Sequence, residues 1–288
     1  MSPHIPLKGA QASQRIAFGL LTLAAAMVVL PLLLVMGYIV WQGVGAISWE
    51  FVTAMPRNGM REGGILPAVV GTVLLTFGTA IAAIPLAIGA AIYLAEYAGD
   101  NWFTRLIRLC IINLASIPSI TYGLFGLGLF VLFLRLGTSL IAGSLTLGLM
   151  TLPVVISTAE EAILAVPQSF RVVSISLGGT KWQTIRHQVL PQALPGILTG
   201  IILGLERAAG ETAPILFTVA AFYLPRLPRS PLDQTMALPY HLYVISTQVP
   251  GMPLQIQYGT ALVLLIFVLS MNLGATVVRS RARRRRRW

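Results

Sequence analysis

The chain has 288 residues, of which 56% are hydrophobic and 10% charged, with a formal net charge of +11. Soluble domains carry about 25% charged residues, so this composition belongs to a bilayer and excludes an ordinary water-soluble domain. Seven of the 20 Lys and Arg residues fall within 279–288, beside a hydrophobic segment, so the positive balance points to membrane topology and away from nucleic acid; the single Cys110 excludes an intrachain disulfide framework and a cysteine-built metal site.

Crossing about 30 Å of hydrocarbon takes roughly 20 apolar residues. Six segments qualify, near 16–40, 68–95, 105–135, 139–160, 194–222 and 256–278, which predicts an all-α integral membrane protein with six transmembrane helices. The first resembles a secretory signal in its apolar run, but it has no small-residue cleavage site before Trp41 and is expected to remain as an anchor. The third carries Pro118 and, soon after, Gly123, Gly126 and Gly128, a combination that predicts a bent or broken helix because proline removes a backbone donor. The polar-leaning stretches near 41–67, 161–193 and 223–255 are too short for an independent core, so residues 1–288 read as one transmembrane domain. No inverted internal repeat is visible.

Basic residues near span ends are retained in the cytoplasm. With the N-terminus inside, that side holds Lys8, Arg15, Arg105, Arg108, Arg171, Lys181, Arg186 and the tail arginines, against Arg57, Arg61, Arg135, Arg226 and Arg229 outside. The distribution predicts both termini in the cytoplasm and places the loop 161–193 there. In that loop Pro167 and Gly178-Gly179 bracket a segment in which Phe170, Val173 and Leu177 recur at helical spacing, with Arg171, Ser174 and Ser176 off that face. After the glycines, Trp182, Ile185 and Val189 form a second apolar face, with Lys181, Arg186 and His187 beside it, until Pro191 stops the pattern. A helix-turn-helix at the membrane surface is expected.

The fifth span carries Gly196, Gly200 and Gly204 at four-residue intervals, with Ala208 and Thr212 continuing the row. Such a ridge of small residues lets another helix approach closely, whether from this chain or from a partner subunit. Beside it, Arg207 and Glu211 stand one helical turn apart near mid-membrane. Charges at that depth pair with one another or line a water-filled path, so the two residues read either as a structural brace or as donors and counter-charge for a passing oxyanion. Glu206 points about 100° away from Arg207 and makes the local charge negative. His4, His187 and His241 have no ligand spacing, and no metal site is expected. Tyr240, His241 and Tyr243, next to Pro239, fit an external gate segment or a headgroup-level aromatic belt. The tail 279–288 suits contact with anionic lipid, not nucleic acid.

The loop 161–193 resembles the cytoplasmic loop of permease subunits of ATP-binding-cassette importers, in which Glu-Ala-Ala is followed by three residues, Gly, nine residues and Ile-x-Leu-Pro. Gly178 and Leu190-Pro191 keep that spacing; Val172-Val173-Ser174 and Gln188 depart from it. The chain further resembles the A-type permeases of phosphate-specific transporters through Gly63-Gly64-Ile65-Leu66-Pro67 with Gly71-Thr72, Ile117-Pro118-Ser119-Ile120 with Gly123-Leu124-Phe125-Gly126-Leu127, Leu177-Gly178 with Lys181-Trp182, and Ala209-Gly210-Glu211-Thr212-Ala213-Pro214. The resemblance implies a type I importer permease fold and ATP-driven phosphate import across a bacterial inner membrane. Its implied partners are a homologous C-type permease, an ATPase dimer and an extracytoplasmic phosphate-binding protein. It also implies that Arg171, Ser174, Leu177, Gly178, Gly179, Lys181 and Trp182 serve coupling to the ATPase, and that Arg207, Glu211 and Thr212 line the substrate pathway. Other oxyanions, such as sulfate or molybdate, are the alternative cargo, and a stand-alone secondary transporter is the more distant one. No phosphate-binding loop occurs, since Gly178-Gly179-Thr180-Lys181 lacks the spacing, so ATP and Mg are expected on the partner and this chain is expected to be non-catalytic.

Overall fold

The structure, a computed structural model, describes residues 7–284. Helix α1 (Leu7–Gly43) is followed by the short α2 (Trp49–Thr53), whose start is capped by the Ser48 hydroxyl accepting from the Phe51 N–H at 3.0 Å. Strands β1 (Pro56–Arg57) and β2 (Glu62–Gly63) pair antiparallel in a small hairpin ahead of α3 (Leu66–Ile92), which continues through a π-helical turn at Tyr93–Tyr97. Next come α4 (Trp102–Ala115) and α5 (Ser119–Gly126), the latter extended by a π-helical stretch at Leu127–Phe133. Helix α6 (Leu140–Leu164), α7 (Gln168–Ser176), α8 (Lys181–Thr184) and α9 (Leu190–Gly210) follow, then α10 (Ala213–Leu216), α11 (Leu238–Thr247) and α12 (Leu254–Arg284).

Five helical rods, Gln14–Ala46, Leu66–Tyr97, Leu140–Leu164, Lys181–Gly210 and Leu254–Val277, are long and apolar enough to span a membrane. A sixth crossing is made if α4 and α5 with its extension count as one, since the two arms meet at an angle of 102°. Pro118, in extended backbone (φ −55°, ψ 139°), stands at that break, so the interrupted third segment is two helices. The core lies among α3, α6 and α9, where Leu75, Leu147 and Met150 are each no more than 3% exposed. From Ile16 onward most apolar side chains of α1 face outward, as they must where lipid replaces a protein core. Of the basic tail 279–288, residues 285–288 lie outside the described residues.

Three sequence expectations change at this level. The fifth apolar segment, 194–222, is not one helix, because α9 ends at Gly210 and Glu211 takes extended backbone (φ −76°, ψ 136°). Pro214 explains the stop: it has no N–H to offer the Gly210 carbonyl, and its ring would clash there. At the other end, Pro191 does not stop a helix. The turn at Ile185–Val189 is π-helical, with the Leu190 N–H donating to the Ile185 carbonyl, and this register shift leaves Pro191 in the first turn of α9, where a missing donor costs nothing. The second arm of the expected surface helix-turn-helix is therefore the start of a rod long enough to span a membrane. Finally, α7 does not pack through Phe170, Val173 and Leu177 together. Only Phe170 of these packs inward, whereas Val173 is 58% and Leu177 83% exposed.

Candidate functional site

At the end of α9 the Arg207 Nε donates to the Glu211 Oε1 at 3.3 Å, with the arginine side chain 41% and the carboxylate 18% exposed. The sequence expectation placed both on one helix; the structure joins them across the helix end, with Glu211 in the cap position. Among the described residues this Nε contact is the hydrogen bond that Arg207 makes. Thr212 precedes the first turn of α10, and its carbonyl accepts from the Leu216 N–H at 3.2 Å. Glu211 borders a residual cavity of about 10 Å³ together with Thr72 and Thr76 of α3 and with Ala237 and Pro239. Thr72 and Thr76 had drawn no functional reading from sequence, although their four-residue spacing puts both hydroxyls on one face of α3.

Glu206 faces α12, where its Oε2 accepts from the Asn272 amide at 3.3 Å while its Oε1 is buried without a partner. The glycine ridge meets α6 of the same chain. A Cβ at Gly196 would lie 2.5 Å from the Ala162 Cβ, one at Gly204 2.9 Å from the Val155 Cγ2, and one at Gly200 would overlap the Thr158 hydroxyl. Ala162, Thr158 and Val155 repeat at nearly the same interval as the glycines, so the two ridges interlock, and the contact is intrachain packing.

The segment carrying α7 and α8 is built around an inward-facing arginine. Arg171 donates from Nε and Nη2 to the Glu96 Oε1 at 3.1 and 2.7 Å, and from its terminal nitrogens to the carbonyls of Val166 at 2.6 Å and Ile163 at 3.0 Å. This pair is mostly shielded from solvent, and it ties α7 to the π-helical end of α3. Beside it the Lys181 ammonium stands 4.7 Å from the Tyr97 ring centroid, a cation–π contact that ties α8 to the same turn. Ser174 also turns inward, 2.8 Å from the Thr184 hydroxyl. Gly178 adopts φ +85°, which disfavours any β-branched residue, and a Cβ on Gly179 would sit 2.9 Å from the Ser174 carbonyl oxygen. Among what α7, α8 and the turn between them leave exposed are the large apolar side chains Val172, Val173, Ile175, Leu177 and Trp182. Glu96 was missed from sequence because its partner is 75 residues away.

Residues 83–288 match the family described as binding-protein-dependent transport system inner membrane component. The chain is 36% identical over 279 residues to the probable ABC transporter permease protein YqgI of Bacillus subtilis (strain 168), covering 91% of this chain and 94% of that protein. It is 35% identical over 254 residues to the probable phosphate transport system permease protein PstA of Methanocaldococcus jannaschii, covering 88% of each. Among solved structures, a chain of a bacterial ABC transporter involved in import of the acidic polysaccharide alginate superposes with a TM-score of 0.65, covering 95% of this chain and 99% of that one at 13% identity, a likeness of fold. The chain belongs to the family of binding-protein-dependent transport system inner membrane components, multi-pass permeases with the type I ABC importer fold.

Proposed function

We propose that this chain is the A-type permease subunit of an ATP-driven importer that carries inorganic phosphate into the cell by alternating access. The observation that carries the reading is the Arg207–Glu211 pair, set where α9 breaks inside a membrane bundle whose relatives include PstA-named phosphate permeases. An oxyanion leaving water must exchange hydration for fixed donors, and the planar guanidinium supplies two parallel ones. It must also be released. Glu211 orients Arg207 through Nε and offsets part of its charge, which keeps binding from becoming a trap. The Thr212 hydroxyl adds a neutral donor beside them.

The chain works without catalysing a reaction itself: ATP and Mg belong to an ATPase dimer that docks on the exposed apolar face of α7 and on Leu177 and Trp182. From there the force has a continuous path, because α8, the π-helical turn and α9 form one rod from Lys181 to Gly210. Arg207 lies roughly 39 Å along that rod from Lys181. A homologous C-type permease completes the membrane unit, an extracytoplasmic binding protein delivers phosphate, and the basic tail rests on anionic lipid of a bacterial cytoplasmic membrane with both termini inside.

The test is transport by the purified assembly in liposomes. Phosphate is expected to stimulate ATP hydrolysis and to accumulate; stimulation by sulfate or molybdate instead would reassign the cargo, and uptake on an ion gradient without the ATPase would remove the ATP-driven reading. Arg207→Gln and Glu211→Gln should each lower uptake about ten- to a hundredfold, the range one charge-assisted hydrogen bond carries, with assembly intact. The exchange Arg207→Glu with Glu211→Arg separates path from brace, since a mere brace is restored by the swapped pair whereas a directional path stays impaired.

A further inference from the structure

The cavity beside Glu211, at about 10 Å³, holds at most one water and has no room for an oxyanion. Something must move before a solute reaches it from outside. Ala237 and Pro239 line the cavity, within a segment that is fully buried, with Thr235, Met236, Ala237 and Leu238 each at most 1% exposed. The chain before this segment is anchored to the first turn of α6, where Leu140 and Ile141 donate their N–H groups to the carbonyls of Asp233 (2.9 Å) and Pro231 (3.0 Å). The segment itself starts at a short bridge, the Thr235 N–H donating to the Val219 carbonyl at 3.3 Å and the Thr235 carbonyl accepting from the Ala221 N–H at 3.0 Å.

Besides apolar packing near Ala68 and Leu75, its attachment to α3 centres on two adjacent residues. Gly71 has no side chain, and a Cβ there would overlap the Met236 carbonyl oxygen and the Thr235 hydroxyl, so the strap lies directly on the helix backbone. Thr72 then accepts from the Leu238 N–H at 2.8 Å while donating to the Ala68 carbonyl at 2.8 Å. Leu238 is the first residue of α11, Ala237 supplies no side-chain cap, and Pro239 has no N–H. Thr72 therefore caps α11 from another helix, 166 residues away in sequence.

We propose that Thr235–Pro239 is the external gate over the Glu211 cavity and that Thr72, seated by Gly71, is the positioning residue that latches it shut. This rests on the assignment of Glu211 to the transport path. At its other end the segment stays bridged through Thr235, so the Thr72 bond, from a helix that also borders the cavity, is the hydrogen bond that ties its α11 end to α3: it gives that end a defined closed position and one hydrogen bond to break. Because α3 carries the latch near its outer end and receives Arg171 and Lys181 at Glu96 and Tyr97, a displacement of the coupling helices reaches the gate through one helix.

The experiment uses the assembled transporter in sealed membranes, with Cys110 replaced by Ala and one cysteine placed at Ala209, which lines the cavity and is 3% exposed. A membrane-impermeant maleimide is added outside without ATP or phosphate, so the readout stands even if the cargo is another anion. Thr72→Val, which keeps the shape and loses the acceptor, should raise the labelling rate about tenfold, the ratio an ordinary hydrogen bond supports. Gly71→Ala should raise it as well, and Thr72→Ser should stay at the parent rate. Parent-like labelling in both Thr72→Val and Gly71→Ala, or equal acceleration by Thr72→Ser and Thr72→Val, would overturn the latch. If those variants do not assemble, cysteines at Thr72 and Leu238 supply the second measurement. Oxidation should stop phosphate uptake and reduction should restore it; full uptake with the bridge intact would show that the strap does not open, and absent uptake in the reduced control would instead count against the cargo assignment.

Discussion

His241 is 2% exposed on α11, and its Nδ1 has no hydrogen-bond partner among the described residues. Burial lowers its imidazole from the usual 6.5 to about 4. Between those values the unfolded chain holds a proton that the folded one lacks, so the stability associated with neutral His241 is complete above pH 6.5 and declines as pH falls toward 4. The thermal midpoint of the assembled complex should therefore fall between pH 7 and pH 5, and His241→Leu should remove much of that fall. An unchanged pH dependence in the variant would assign the effect to another group. Single residues differ sharply in how far sequence exposes their role. Arg207 and Glu211 are conspicuous because charge in an apolar run is costly. Thr72 and Glu96 are not, since a threonine in a helix and an acid at a span end acquire a role only from a partner that the fold brings from a distant part of the chain.

The α7 and α8 pair owes its position to contacts with the end of α3. With side chains 12% and 8% exposed, the Arg171–Glu96 pair is shielded from solvent, and removing one member of such a pair costs about 3–5 kcal/mol because the other is left uncompensated. Glu96→Gln is accordingly expected to loosen α7 from α3 while the complex still assembles, so that ATP hydrolysis proceeds with little dependence on phosphate and uptake drops. Measuring hydrolysis and uptake together checks this; tight coupling in the variant would reduce the pair to a local fastening. The periodicity of 168–177 announces a helix but not which face is covered, because Arg171 satisfies four hydrogen bonds inward and outweighs the apolar stripe. The glycine ridge of α9 was equally ambiguous. It reads as a contact surface from spacing alone, and only the matching small residues of α6 identify the neighbour.

Across the whole molecule, the 102° angle between α4 and α5 governs topology. If the bent pair crosses the membrane there are six spans and both termini share a side; if it returns, there are five and they do not. The arginine distribution favours six. Cysteines placed near Ser13 and Ser280 in a Cys110-free background should then react with an impermeant reagent only from the cytoplasm, and one at Asn58 only from outside. Labelling of the two termini from opposite sides would make the bent pair re-entrant. Composition, span lengths and the arginine tail determined by themselves that this is a multi-pass membrane helix bundle, because lipid demands long apolar segments with internally satisfied backbones regardless of how they pack. The charged pair in the fifth apolar segment and the glycine turn of the loop 161–193 were legible for the same local reason. Tertiary structure alone decided that α9 stops at Gly210, that Arg171 faces inward, and that the Thr72 hydroxyl accepts from the Leu238 N–H. Those outcomes depend on which buried polar group finds which partner across the bundle, and that pairing is a property of three-dimensional proximity rather than of spacing along the chain.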